Sequence, residues 1–362
     1  MQKLLLIAFI GIALSGCVSD SDDDPNMDKD MHHDGHAVPT VSAQATYDEL
    51  AHFSTTYSER ADNLPAHTGA RDYMAQVFED AGLEVYRQNF TNGIYQENII
   101  GIKWGTHTDK FVVIGGHYDM TTTDCIAGGL TPDPLPDCVL RPLSQGAYDD
   151  GSGTTMTLNL ARAFSNVSTD YSLMFVAFDG EERGLQGSGA LATAFLEGTL
   201  PWNDGQNTAV AMLNLDMIGL NWPAVDVPIY FDTNSVDLRD FTDETRKNMS
   251  MPDEAIKYQG ISLGRSDYAH FFAMGVPTGF FISDFEEYQL PADIPATNPQ
   301  GTGLPVIGAY PFWHVEDTMT TMDLMSGGPD QTVAGFQTIL DLSAEIIYKL
   351  GHDAEMMHAE IA

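Results

Sequence analysis

The chain of 362 residues carries 52 acidic against 16 basic side chains, which gives a formal net charge of −36 and excludes a protein that binds nucleic acid by bulk electrostatics. Hydrophobic residues make up 43% of the sequence and aromatic residues 10%, so an acidic disordered protein is excluded as well. The length suits one large α/β domain or two smaller domains.

Residues 1–16 are predicted to be an export signal. A basic start ends at Lys3, and the apolar run 4–14 that follows is too short to span a bilayer as a mature helix. The sequence LSGC at 14–17 resembles the lipobox of bacterial lipoproteins, in which the cysteine becomes the lipid-modified N-terminus. We therefore expect anchoring to the cell envelope through Cys17, and Val18 favours the outer membrane. The alternative is an ordinary signal peptide in which Cys17 has no role.

Residues 17–45 are predicted to form a disordered tether. They contain many aspartates and few apolar residues, and they show neither a helical nor a strand period, so nothing offsets the entropy lost on ordering. His32, His33 and His36 lie beside Asp34 and have side chains that bind transition metals. The simpler interpretation of these four residues is a solvated spacer.

A packed domain is predicted over residues 46–352, followed by a tail over 353–362. Apolar residues at helical spacing predict helices over 47–59, 68–81, 154–164, 185–196 and 333–350. Runs rich in β-branched or aromatic residues predict strands over 83–90, 97–104, 111–115, 172–178 and 209–215, and the alternation continues over 228–231, 236–248, 267–273 and 277–282. Such alternation indicates an α/β fold with a mixed, mostly parallel central sheet sandwiched by helices.

Five polar motifs follow strands or precede a helix, which is where open α/β sheets bind ligands. They are GGHYD at 115–119, GAYDDGSG at 146–153, DGEE at 179–182, NLDM at 214–217 and FWHVEDT at 312–318. Each motif taken alone also has an interpretation without function, as a histidine in a loop, a helix cap or an acidic turn. The apolar strand before DGEE favours function, because it delivers two glutamates to the mouth of the sheet, where one can bind a metal while the other takes a proton from bound water.

The ordered motifs resemble those of the zinc aminopeptidases of peptidase family M28, which have a phosphorylase/hydrolase-like α/β fold, and the resemblance extends over most of the chain to His314. It implies a two-zinc site in which His117 and Asp216 bind one ion, Glu182 and His314 bind the other, Asp149 bridges them, Glu181 is the general base and Asp119 orients His117. No metal role carries over to Asp150, which we interpret as a helix cap or as an acceptor behind the ligands.

The resemblance also implies the reaction. Two zinc ions would share a water and lower its pKa toward about 7, Glu181 would take its proton, and single residues would be removed from peptides with a free N-terminus. We expect a monomer without a nucleic acid partner, in contact with the membrane through its lipid anchor only. Some family members use a tyrosine as oxyanion donor, but this chain has Trp313 and Leu263 at the corresponding places, which leaves Tyr258 and Tyr268 as candidates.

Two other functions remain open from the sequence. A glutaminyl cyclase would use the same fold with a single zinc ion, and a surface binding protein would keep the fold without the chemistry. Both histidines, the bridging Asp149 and the glutamate pair are retained, which favours the two-metal peptidase.

Cys125 and Cys138 lie in a proline-rich segment between the first two motifs, and they are the cysteines that remain once Cys17 is assigned to lipid. An exported protein folds in an oxidising compartment, so we predict a disulfide between them. In the chain-entropy model such a bond contributes about 3 kcal/mol. Two free thiols are the alternative.

Overall fold

The computed structural model describes residues 37–61, 64–91, 95–121, 123–124, 139–140, 144–220, 229–260, 266–283 and 317–353. Several predicted features lie outside these residues, namely the export signal, most of the tether, the C-terminal tail after its first residue, Cys17, His32, His33, His36, Cys125, Cys138, Leu263, Trp313 and His314. Within the described part of the chain, no helix is both long enough and apolar enough to cross a membrane.

Eight of the ten strands found in the described residues form one sheet. In chain order the strands are β1 (Glu84–Thr91), β2 (Tyr95–Lys103), β3 (His107–His117), β4 (Thr123–Asp124), β5 (Val139–Leu140), β6 (Tyr171–Phe178), β7 (Thr208–Leu215), β8 (Ile229–Thr233), β9 (Ile256–Gly260) and β10 (Thr278–Ile282). The sheet has the order β1-β2-β6-β3-β7-β10-β8-β9, and β4 pairs with β5 separately. The strands β6, β3, β7 and β10 are parallel neighbours, as are β8 and β9, while the other three pairings are antiparallel. The predicted mixed, mostly parallel sheet is therefore confirmed.

Helices cover both faces of the sheet. They are α1 (Ala43–Thr56), α2 (Pro65–Asp80), α3 (Ser152–Phe164), α4 (Gln186–Glu197), α5 (Val236–Asn248), α6 (Tyr268–Ala273), α7 (Met319–Ser326) and α8 (Pro329–His352). One hydrophobic cluster joins α1, α2, α3 and α8 to the sheet, and a second joins α4 and α6 to the opposite face. Side chains that alternate along β6 belong to the two clusters in turn, Phe175 to the first and Met174 to the second. All of β6 is buried because both faces of the sheet are covered.

The folded domain begins earlier than the sequence predicted. Ser42 caps α1 by accepting a hydrogen bond from the backbone N–H of Ala45, and Val41 and Ala43 are buried. The last residues of the predicted tether, 41–45, therefore belong to the packed domain. The capping serine is a start signal that outweighs the low apolar content of this segment.

Among the strands and α-helices of the described residues, four were not predicted: the two-residue strands β4 and β5, the edge strand β9 and the helix α7. The edge strand β9 is short and carries lysine and glutamine, so it lacks the apolar run that marks a central strand. The helix α7 begins at a capping box formed by Thr318 and Thr321, and its threonines and methionines give only a weak helical pattern. The closing helix α8 starts at Pro329 rather than at residue 333.

Candidate metal centre

The topology places three of the five motifs at one edge of the sheet. The strands β6, β3 and β7 are parallel neighbours, so their carboxyl ends lie at the same edge. His117 is paired with Phe178, and Gly115 with Asn214. His117, the DGEE turn and Asp216 therefore leave the sheet side by side.

The imidazole of His117 is surrounded by carboxylates. Its Nε2 atom lies 3.0 Å from Oδ1 of Asp149, 3.7 Å from Oδ1 of Asp216 and 3.9 Å from Oε2 of Glu181. Burial opposes the charged ring, but Glu181 and the neighbouring aspartates outweigh burial and raise the pKa of His117 well above its usual range. A nitrogen that faces several carboxylate oxygens within 4 Å is the arrangement of a cation site.

Asp216 provides the observation that tests whether a metal fits. Its Oδ2 atom accepts a hydrogen bond from the hydroxyl of Ser266 at 2.7 Å. Its Oδ1 atom is buried and has no hydrogen-bond donor among the described residues, although it lies 3.7 Å from Nε2 of His117. Burial, the larger cause, and Asp149 raise the pKa of Asp216 to about 7, while His117 lowers it. A buried carboxylate oxygen that lacks a hydrogen-bond donor and lies beside a ring nitrogen is the arrangement expected of two metal ligands, so Asp216 and His117 fit a metal ion.

Asp119 holds both the histidine and the glutamate turn. The Nδ1 atom of His117 lies 3.1 Å from the main-chain carbonyl oxygen of Asp119 and 3.5 Å from its carboxylate. The carboxylate accepts the backbone N–H groups of Glu181 at 3.1 Å and Glu182 at 3.2 Å. The main-chain carbonyl of Asp119 is thus closer to the ring than its carboxylate, the group predicted to orient His117, and the carboxylate also holds the turn.

Glu181, on this turn, places Oε2 of its carboxylate 3.9 Å from Nε2 of His117. Burial raises its pKa well above the usual range, Glu182 and Asp216 add to that rise, and His117 opposes it. A raised pKa brings a carboxylate closer to the proton affinity that a general base needs at neutral pH.

Asp149 and Asp150, joined by a cis peptide bond, make different contacts. Asp150 is fully buried, and its carboxylate accepts the backbone N–H groups of Gly153 at 2.8 Å, His117 at 3.1 Å and Met217 at 3.3 Å. It caps α3 and ties this helix to the ends of β3 and β7, in agreement with its interpretation as a cap or acceptor.

Asp150 also qualifies as a ligand on distance alone. One of its oxygens lies within 4.8 Å of ligand atoms of His117 and Asp216. Asp149 is nevertheless the better ligand candidate, because its Oδ1 faces Nε2 of His117 at 3.0 Å, whereas both oxygens of Asp150 are taken up by main-chain N–H groups.

Three polar residues beside this cluster were not assigned a role from the sequence. Ser266 hydrogen-bonds Asp216, as described above. Asp267 is fully buried, and burial followed by Asp119 and Asp216 raises its pKa to about 7 against the influence of His117. Asp179, also fully buried, lies 2.8 Å from Nε2 of His67. In the sequence, Asp179, Ser266 and Asp267 follow apolar runs or flank a motif. This position indicates that they lie near the site, but it does not indicate which residues they contact.

The two tyrosines considered as oxyanion donors pack against phenylalanine rings, Tyr268 within the core and Tyr258 half-buried beside it. Tyr268 is fully buried with its ring 5.0 Å from that of Phe280. Tyr258 lies on β9, where it packs edge to face on Phe231. Both rings thus contribute to the packing around the sheet.

Comparison with known proteins identifies the family. The sequence model of peptidase family M28 matches residues 98–325, which is more than half of the chain. The chain belongs to peptidase family M28. The matched region extends from β2 to α7 and includes every strand end that carries a residue of the candidate site.

Similar sequences carry peptidase names. The chain is 31% identical over 199 residues to aminopeptidase YwaD of Bacillus subtilis, over 53% of this chain and 36% of that protein. It is 29% identical over 211 residues to a probable zinc metalloprotease of Pyrenophora teres, over 53% of this chain and 41% of that protein. The chain therefore spans about two fifths of the length of these curated relatives.

Solved structures share the fold at low identity. The zinc aminopeptidase BSAP of Bacillus subtilis has a TM-score of 0.62 at 15% identity and covers 90% of this chain and 100% of its own. The glutaminyl cyclase of an Acidobacteriales bacterium has a TM-score of 0.62 at 20% identity and covers 88% of this chain and 97% of its own. At these identities the similarity establishes the fold alone.

Proposed function

We propose that this chain is an aminopeptidase that uses two zinc ions to remove N-terminal residues from peptides. The observation that carries the proposal is the convergence of His117, Asp149 and Asp216 at the carboxyl edge of the parallel strands, with a buried and unsatisfied oxygen on Asp216. The similarity to proteins named as zinc metalloproteases and as an aminopeptidase supports the same reaction class.

The ligand set follows the order of the motifs. In this proposal His117 and Asp216 would hold one zinc ion, Glu182 and His314 would hold the other, and Asp149 would be shared between the two. His314 lies outside the described residues, but Asp317 follows it by three residues and accepts a hydrogen bond from the backbone N–H of Asp149 at 2.8 Å. This contact supports a role for the late motif in the same site.

Glu181 is the general base in this proposal. Zinc bound at the site would supply Lewis-acid activation of a water and of the scissile carbonyl. Glu181 accepts a proton from that water and returns it to the leaving amine, and the carboxylate of Asp119 holds its backbone in place for both steps. Asp150 accepts a hydrogen bond from the backbone N–H of His117 and so helps to fix the backbone that carries the ring.

The test compares Glu181→Gln with Glu182→Gln in the full-length chain, because the two substitutions are chemically identical. Glu181→Gln is expected to keep both zinc ions while turnover of an aminoacyl amide falls by about 100-fold or more, as is typical of a lost general base. Glu182→Gln is expected to lose one zinc ion or bind it more weakly, with activity partly restored by excess zinc.

The readouts are zinc content per chain and turnover with and without chelator. If Glu181→Gln loses metal, or if Glu182→Gln keeps both ions at wild-type affinity, the base and the ligand have been assigned in the wrong order. Wild-type protein that is inactive on every aminoacyl amide of a broad panel would argue against the aminopeptidase itself.

Glutaminyl cyclase activity is the second candidate, favoured by the fold similarity to the cyclase at a TM-score of 0.62. A peptide with N-terminal glutamine separates the two reactions by mass, because a cyclase releases only ammonia whereas an aminopeptidase releases the whole residue. A binding protein of the same fold would leave this peptide unchanged.

A further inference from the structure

The loop that carries Asp149 is held on one side by a buried arginine. Arg60 is fully buried and follows α1. Its guanidinium donates hydrogen bonds to the main-chain carbonyls of Gln145 and, at 2.6 Å, of Gly146, and it donates another at 2.6 Å to the carbonyl of Tyr118. One side chain therefore bonds both the loop before Asp149 and the segment after His117.

Asp317 holds the same loop by accepting hydrogen bonds from the N–H groups of the loop. Its carboxylate is fully buried and accepts hydrogen bonds from the backbone N–H groups of Tyr148 and Asp149, each at 2.8 Å. Its main-chain carbonyl accepts a hydrogen bond from the N–H of Gln145 at 2.7 Å. Carbonyls of the loop thus face a cation, while its N–H groups face an anion.

Gly146 leaves room for the guanidinium of Arg60. It adopts φ +53°, and a Cβ atom placed there would lie 2.8 Å from a terminal nitrogen of Arg60. The loop therefore combines a left-handed backbone with the absence of a side chain at the point where the guanidinium approaches.

The charge of Arg60 also faces the site. Burial, the larger cause, lowers its pKa to about 10, while Asp317, Asp150, Asp119 and Asp149 raise it, so the group remains a cation at neutral pH. A buried cation or anion that loses its partners costs far more than an exposed one, so loss of either group would leave the charge of the other less well compensated.

We propose that Arg60 and Asp317 are positioning residues that clamp the 145–149 loop and so hold Asp149 at metal-binding distance from His117. The proposal rests on the proposed function in one respect, namely that Asp149 and His117 bind metal. Neither Arg60 nor Asp317 touches the metal in this account; both act through the backbone of the residues that do.

The experiment measures metal binding by the full-length chain without substrate. Arg60→Lys, Arg60→Met and Asp317→Asn are stripped of metal and titrated with zinc against a competing chelator, and then with cobalt to record the ligand-field spectrum. Arg60→Lys keeps the charge but loses the fork that spans two carbonyls, and Asp317→Asn keeps the shape but turns one acceptor into a donor that faces an N–H group.

We expect zinc affinity to fall by about 10- to 100-fold in each variant, as for other residues that orient metal ligands, and the cobalt spectrum to change shape. We expect Arg60→Lys to be affected less than Arg60→Met. In turnover assays kcat should fall with little change in KM.

Matched controls exclude a purely structural effect. Arg246 is 3% exposed and donates hydrogen bonds to the carbonyl of Met251 at 2.8 Å and to Asp253. Asp323 accepts hydrogen bonds from the hydroxyls of Tyr47 and Thr332, both at 2.8 Å. Arg246→Met and Asp323→Asn should lower Tm while zinc affinity stays at the wild-type value.

The outcomes separate the clamp from the aminopeptidase. Folded Arg60→Lys and Asp317→Asn proteins that bind both zinc ions with wild-type affinity and give the wild-type cobalt spectrum would overturn the clamp. If Arg60→Met does not fold, the two conservative variants decide. Wild-type protein that binds zinc but cleaves no aminoacyl amide would refute the proposed function. It would not refute the clamp, because zinc affinity is measured without substrate.

Discussion

Replacing Gly153 by alanine is expected to destabilise the protein and to disturb the candidate metal centre at once. Gly153 lies in the first turn of α3, where the helix packs against the end of β7. A methyl carbon there would be 2.0 Å from the carbonyl oxygen of Leu215 and 2.7 Å from Oδ1 of Asp150. A carbon and an oxygen normally stay at least about 3.3 Å apart, so the helix and the strand would have to separate by about 1 Å.

The cost of this separation is high because the obstruction is backbone. Overpacking costs typically 1–3 kcal/mol, and we take about 3 kcal/mol because Leu215 cannot rotate out of the way as a side chain could. For a domain of about 300 residues the unfolding entropy is roughly 0.6 kcal/mol/K, so Tm should fall by about 5 °C. The movement would also carry Asp150 and Asp216 away from His117, so bound zinc should decrease.

Gly189→Ala is the matched control. This glycine lies in α4, and the three heavy atoms nearest to a Cβ atom placed there would all belong to the imidazole of His270, with a closest approach of 3.1 Å. The ring can move, and alanine favours a helix over glycine by up to about 1 kcal/mol, so Tm should stay the same or rise. Thermal unfolding followed by circular dichroism compares the two variants. A Gly153→Ala protein that melts with the wild type and keeps its zinc would refute the steric argument.

Three further predictions concern pH, the disulfide and the anchor. Burial raises the pKa of Asp216 to about 7, so below that pH its acid form dominates and zinc must displace a proton. The zinc affinity of the metal-free protein should therefore fall as the pH drops from about 7 to about 5. A zinc affinity that stays constant over this range would contradict the prediction. In the antiparallel pairing of β4 with β5, Asp124 lies opposite Val139, and these residues directly precede Cys125 and follow Cys138. Thiol labelling of denatured, unreduced protein should therefore find neither cysteine free. Two labelled thiols would exclude the disulfide. Cys17→Ala should move the protein from the membrane fraction to the soluble fraction, and retention in the membrane would exclude lipid as the anchor.

The sequence predicted those parts of the fold that have a strong local signal. The apolar runs 172–178 and 209–215 correspond to β6 and β7 within one residue, because a strand buried on both faces is apolar throughout. The motifs that follow these strands could then be placed at one edge. The order of the strands in the sheet, in contrast, depends on which strands pair across long stretches of chain, and no local pattern records it.

The contacts behind the ligands could not be predicted for the same reason. Arg60 lies in a short polar segment, and its role depends on carbonyls that are 58 to 86 residues away in the chain. Asp317 contacts Asp149 across 168 residues. A charged side chain is expected on the surface unless its partners are known, so the sequence gives no reason to bury either residue.

The burial of Arg60 follows from the chemistry of the site that it supports. Carboxylates that converge on one imidazole repel one another, and burial already raises the pKa of Asp150 well above its usual range. A guanidinium behind the loop opposes this repulsion without occupying the space in front of His117, where a divalent ion would bind. A lysine would offer the same charge on a flexible stem, whereas arginine is fixed by the carbonyls on both sides of it. The fixed positive charge thus opposes the rise in the pKa of Asp150 that burial causes.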